Sequence, residues 1–289
     1  MKIPSFLLLL TFVIGACNSN KPKEASDQNT IDITLNKAKT LNISKPQPNP
    51  ITDRVKPYSY FEGIDSTTIA NLLSVYSTDK APVSDIKILQ ERAYHGDEVE
   101  EGVDTLNWFA VVKKGKDYFI EKCDITIEPR FDAIIDNEGD TTGKKINTNA
   151  SDKTILLIAG LKNIVEGKLN TFLSMGEFLN PGDSLQINVN GDTIALKAYG
   201  KYLNEYEIRS YLLQASSDSC KQWISATNGF DDQTYSLLWC GDLDKDNKAD
   251  FIFDLSNHYN VSKITLFLSS FAGEGEFFKR IAEIRSIGC

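Results

Sequence analysis

Residues 184–200 read SLQINVNGDTIALKAYG. Leu185, Ile187 and Val189 alternate with polar residues before Asn190-Gly191, and Ile194 and Leu196 alternate after it. A period of two turns the apolar set of each arm toward one face. Asn-Gly supplies the two positive-φ positions of a turn whose twist matches its strands, so this stretch predicts a tight antiparallel hairpin. Downstream, EYEIRSYLLQAS, KQWISAT, YSLLWC, DFIFDLS, KITLFLSS and FKRIAEIRSIGC follow at the spacing of an all-β domain. Upstream, IKILQERAY, NWFAVVKKGKDYFIEKCDITIEP, TILLIAGL and KLNTFLSM carry alternation or β-branched and aromatic runs, with KKGK as a hairpin turn. STTIANLLSVYS (66–77) reads as a short helix, with Ser66 as N-cap and Ile69, Leu72, Leu73 and Tyr76 on one face.

The fold expected is therefore mainly β, with antiparallel sandwich- or barrel-like sheets behind a short N-terminal helix. No repeat of fixed period occurs, which argues against a propeller. Two parts are expected after the N-terminal segments: an α+β part over 58–150 and an all-β part over 151–289.

The chain opens MKIPSFLLLLTFVIGACNSN. Lys2 is followed by an apolar run, Phe6 to Ile14, too short to span a bilayer, and then by Gly15, Ala16 and Cys17. Residues 1–16 thus read as a signal peptide. The small-small-Cys ending resembles the lipobox of bacterial lipoproteins, which implies cleavage before Cys17 and fatty acyl chains on that residue. By the same resemblance Asn18, in place of aspartate, implies the outer membrane as the anchoring surface. Ordinary secretion, with Cys17 incidental, is the alternative. Residues 17–57 are polar, Lys-rich and Pro-punctuated, and read as a flexible tether.

The formal charge is −9, and loss of Lys2 with the signal makes it more negative still. Such a balance disfavours nucleic acid and anionic lipid as partners and favours cations. Besides Cys17 the chain carries Cys123, Cys220, Cys240 and Cys289. In an oxidising envelope these suggest two disulfides, with Cys240–Cys289 favoured because it would hold the last strand against fraying. No spacing suggests zinc or thiol redox chemistry, and His95 and His258 are the only histidines.

The chemistry-bearing stretch is GDLDKDNKAD, 241–250. Unneutralised, its carboxylates would repel one another, so either solvent screens an open turn or a cation sits among them. Read as a calcium loop, Asp242, Asp244 and Asp246 take positions 1, 3 and 5, Lys248 offers its backbone carbonyl at 7, and Asp250 stands at 9. Asn247 replaces the usual glycine and tolerates a left-handed backbone. Phe253 replaces the bidentate glutamate of an EF-hand, and the flanks look like strands, so a strand-loop-strand site with structural Ca²⁺ is expected.

The loop resembles that of FG-GAP repeats, although one copy occurs where a propeller needs several. More widely, LLWCGDLDKDNKADFIFDLSNHYNVSKITLFLSS resembles the C-terminal part of uncharacterised lipoproteins of Bacteroidota-type bacteria, a likeness that implies a shared domain and no substrate.

Other signals are weaker. PGDSLQI contains the string of GDSL esterases with Ser184 as nucleophile, but it leads into a strand rather than a helix, and Asp254 and His258 lack that family's D-x-x-H spacing. His258 and Tyr259, in SNHYNVS, are candidate binding residues. His95, beside DEVEE, is expected at the surface. Trp239 is expected in the core, and Trp108, Trp223 and Trp239 could otherwise line a sugar platform. Short strings at Ser66, Thr105, Thr141, Ser184 and Thr193 resemble an O-glycosylation signal of the same bacterial group. The functional expectation is a non-catalytic binding or assembly module for a protein or glycan ligand. A periplasmic or surface hydrolase, esterase or glycan-active, is the alternative.

Overall fold

The structure is a computed structural model, and it describes residues 58–288 apart from 79, 83 and 151. The signal peptide, Cys17 and the tether lie outside the described residues. Among the described residues strands predominate, all pairing antiparallel within four sheets, and neither a closed barrel nor a propeller forms. The hairpin forms as read: Ser184–Val189 pairs with Asp192–Tyr202, Val189 opposite Asp192. Asn190 and Gly191 hold φ of 53° and 104°, the left-handed values the turn demands.

The first sheet adds Ile208–Ser216, Lys221–Gly229 and the edge strand Tyr58–Tyr60 to that hairpin. The second runs Asn170–Phe178, Ser236–Asp242, Asp250–Asp254, Val261–Leu268, Lys279–Ile287. The third runs Lys87–Leu89, Lys153–Ala159, Trp108–Lys114, Asp117–Cys123, Gly167–Lys168. The fourth joins Ala93–Tyr94, Gly143–Thr148 and Ile125–Arg130.

Three apolar cores separate these layers. Leu185, Ile187 and Leu196 of the first sheet meet Cys240, Phe251 and Phe253 of the second. On the second sheet's other face Trp239, Ile252 and Leu266 meet Val111, Ile120 and Leu156 of the third. The third sheet's far face, with Ala110, Val112 and Leu157, covers Ile125 and Ile146 of the fourth. The middle sheets are thus buried on both faces. That burial explains why TILLIA and DFIFD run apolar without alternation, a pattern more usual in parallel sheets. Each such Leu, Ile or Phe contributes about 1.5–3 kcal/mol by leaving water.

Three expectations change. The helix spans Ser66–Ser77 as read, but its N-cap is Asp65, whose Oδ1 accepts from the Thr68 N–H at 2.9 Å. The cap falls one residue early because the aspartate reaches the orphan donor of the first turn. Its predicted face, Ile69 to Tyr76, is half-buried, and the Tyr76 hydroxyl donates to Trp223 O at 2.9 Å.

The boundary expected at residue 150 is crossed in both directions. Lys153–Ala159 sits between Lys87–Leu89 and Trp108–Lys114, and Tyr58–Tyr60 pairs with Asp192–Tyr202. Strand exchange of this kind leaves no mark in local composition.

His95 is buried, not at the surface: its Nδ1 lies 2.5 Å from Asp132 Oδ2, and only 7% of the residue is exposed. The ion-pairing partner stands far along the chain, where sequence inspection could not find it.

Cys123, Cys220 and Cys240 are free thiols, and Cys289 lies outside the described residues. Cys240 lies level with Phe251, Phe267 and Arg280 across successive strands.

Trp239 is fully buried as expected, and so is Trp108, whereas Trp223 is half-buried. Ser66, Thr105, Thr141, Ser184 and Thr193 are all exposed. Among the described residues, no helix is long and apolar enough to cross a membrane.

Candidate metal centre

The aspartate loop joins two adjacent strands of the second sheet, Ser236–Asp242 and Asp250–Asp254, with Gly241 opposite Asp250. A Cβ on Gly241 would lie 2.4 Å from the Trp239 ring and 2.5 Å from Asn170 O, so only glycine lets the chain pass there. Lys245 and Asn247 both take φ of 66°, which bends the loop back on itself. Leu243 and Ala249 plug the loop into the core, leaving Lys245, Asn247 and Lys248 exposed between them.

That bend gathers the carboxylates. One oxygen each of Asp242, Asp244 and Asp250 lies within 4.8 Å of the others. Asp250 is wholly buried: Oδ2 accepts from the Leu243 N–H at 2.7 Å, and Oδ1 from the Ser269 N–H and hydroxyl at 2.8 and 2.9 Å. Asp242 Oδ2 accepts from the Asn247 N–H at 3.1 Å. The other oxygens of the first two aspartates differ. Among the described residues Asp242 Oδ1 and Asp244 Oδ1 are buried with no hydrogen-bond partner, and Asp242 is only 6% exposed.

Burial pushes the Asp250 carboxyl up to about 7, with the Asp244 charge adding to it. Asp242 is raised first by burial, then by the charges of Asp246 and Asp244. These shifts mark negative charge held without enough counter-charge. Oxygen-only donors on bending carboxylates suit a hard cation, and the residues present fit one.

Of the five residues expected at the ion, three converge. Asp246 instead accepts from the Lys248 N–H and the Ser269 hydroxyl, each at 2.9 Å. Lys248 is exposed. Ser269 and Ser270 are residues that sequence reading missed: Ser270 donates its hydroxyl to Asp244 Oδ2, and Ser269 binds both Asp246 and Asp250. They end the strand Val261–Leu268, which lies beside Asp250–Asp254. Only that pairing reveals them; as letters they are two serines after an apolar run. Asn190, at the tip of the hairpin, also reaches the loop.

His258 and Tyr259 stand at the opposite end of the second sheet, in the turn that leads into Val261–Leu268. His258 Nε2 lies 2.9 Å from Asp231 Oδ2, and its ring stacks on Tyr259 at 4.7 Å between centroids. Ser184 faces solvent on its strand, opposite Lys197, and accepts from the Gln186 amide at 3.4 Å. Neither histidine is its partner: one pairs with Asp132, the other with Asp231. No protein-family model, curated protein or solved structure matches this chain.

Proposed function

We propose that the chain is an envelope-anchored lipoprotein whose C-terminal strands are stapled by one structural calcium ion, and that it serves as a non-catalytic binding or assembly module. The observation that carries the metal reading is the pair of buried, partnerless oxygens on Asp242 and Asp244 beside the buried Asp250. Leaving such oxygens unsatisfied costs about 1–3 kcal/mol each, which a cation recovers. Asp242, Asp244 and Asp250 hold the ion. Calcium is favoured over magnesium because it accepts irregular, many-oxygen sites, whereas magnesium demands near-octahedral geometry and retains water. The resemblance to FG-GAP loops supports the same ion.

The anchor reading rests on the signal-like run ending at Cys17. Elemental analysis and melting with calcium or EGTA test the metal. An affinity of about 10⁻⁴–10⁻³ M suits an extracellular module. Calcium at a hundredfold excess over Kd then adds about 2.7 kcal/mol. Absence of bound calcium, together with identical melts in EGTA, removes the metal from the reading.

A further inference from the structure

At the far end of the molecule from the aspartate loop, the helix Ser66–Ser77, the end of Lys221–Gly229 and the turn at His258 enclose a cleft of about 710 Å³. That volume lies within the roughly 300–1,000 Å³ of small-molecule sites. We propose that this cleft binds a neutral oligosaccharide, an inference that rests on the binding-module reading and gives it a ligand class.

The chemistry of the lining selects the ligand. Phe230, half-buried, reaches the cleft with its ring held edge-to-face by Tyr211 and Tyr235 at 4.9 and 5.0 Å between centroids. Half-buried, Phe230 leaves part of its apolar surface for the C–H groups of a pyranose. Around it stand hydroxyl and amide groups, Thr227, Asn228 and Asn257. The Asn228 side chain is exposed and has no hydrogen-bond partner among the described residues. Amides of this kind donate and accept at once, as neighbouring sugar hydroxyls require.

Charge argues against an ionic ligand. Arg209 pairs with Glu207 at 2.6 Å and Lys263 with Glu283 at 3.4 Å, a carboxylate that Arg280 shares at 3.3 Å, so each cation at the cleft already has a carboxylate beside it. His258 accepts from the Asn260 N–H at Nδ1 and turns Nε2 to Asp231. The carboxylate of Asp231, 59% exposed, keeps acceptor capacity for hydroxyl donors.

The wall is also rigid. Asp231 N–H donates to Asn257 O at 3.0 Å, Tyr259 N–H donates to Asp231 O at 2.9 Å, and the Asn257 amide donates to Thr227 Oγ1 at 3.2 Å. Pre-set groups lose little freedom when a ligand arrives.

The test is saturation-transfer NMR on the calcium-loaded protein. Cellobiose, maltose, lactose and N,N′-diacetylchitobiose serve as neutral probes, with sialyllactose and trilysine as charged ones. At least one neutral disaccharide is expected to bind. Asp231→Asn is expected to weaken it about tenfold, as loss of a charged acceptor does, and Asn228→Ala severalfold, with melting temperature and calcium affinity unchanged. The proposal is overturned if no neutral disaccharide binds, if only the charged probes bind, or if both variants bind as the parent does. Calcium titration of the same samples separates the readings: lost metal binding with retained sugar binding overturns the staple alone. Cleavage of the bound disaccharide overturns the non-catalytic reading and retains the site.

Discussion

The Asn190 side-chain amide donates to the backbone carbonyl of Asn247 at 2.8 Å, so the tip of the first-sheet hairpin is bonded to the apex of the aspartate loop. Both residues hold left-handed backbones, with φ of 53° and 66°. Two strained turns therefore brace one another across the first core.

Asn190→Ala removes this bond and the side chain best suited to its own turn. A loss of about 1–2 kcal/mol is expected in urea unfolding, together with weaker calcium binding in a terbium-competition titration. Unchanged metal affinity would show that the contact leaves the loop alone.

Asp250→Asn keeps the shape of a wholly buried carboxylate while removing its charge. In EGTA the variant should unfold at a lower temperature than the parent, because its –NH2 must face the Leu243 or Ser269 N–H that a carboxylate oxygen accepts in the parent. With calcium, the parent should gain stability and the variant little. A variant that still gains as much as the parent would place the ion elsewhere.

His95 and Asp132 form a buried pair on the far sheet. The Asp132 hydrogen bond holds the His95 imidazolium above its ordinary 6.5. His95 in turn holds Asp132 below its ordinary 3.8. A raised histidine stabilises the fold fully below 6.5, and that contribution is lost as pH climbs through its raised value. A lowered aspartate contributes above 3.8, and its contribution is lost as pH falls through its lowered value. The clamp is therefore at full strength between those two ordinary values. An NMR titration should find His95 above the ordinary histidine value and returning toward it in Asp132→Asn.

Ile252 sits in the second sheet opposite Trp239, wholly buried between two other layers. Ile252→Ala should cost about 2–5 kcal/mol in equilibrium unfolding. Its exposed counterpart on the same scale, Val75→Ala on the helix, should cost under about 0.5 kcal/mol. Near-equal costs would contradict the layering.

Much of the strand content was readable because period and turn chemistry act over a few residues: the NG hairpin and the KKGK turn both form where they are written. Gly143–Thr148 escaped notice because GKKINT places only Ile146 deep in a core and is otherwise glycine and polar residues. The candidate cation loop was legible from its alternating aspartates. The inward turn of Asp242, Asp244 and Asp250 and the diversion of Asp246 to Ser269 were not, since both depend on the neighbouring strand.

By itself, then, the order of residues determined a strand-rich chain, a tight hairpin and a carboxylate loop, all of which follow from short-range sterics and spacing. Tertiary structure alone decided that four sheets stack with the middle two covered on both faces, and that strands cross the expected boundary. It alone brought Ser269 to Asp250 and Asp231 to His258. Those are contacts between distant residues, set by strand register and by which apolar faces bury one another, and no local pattern encodes them.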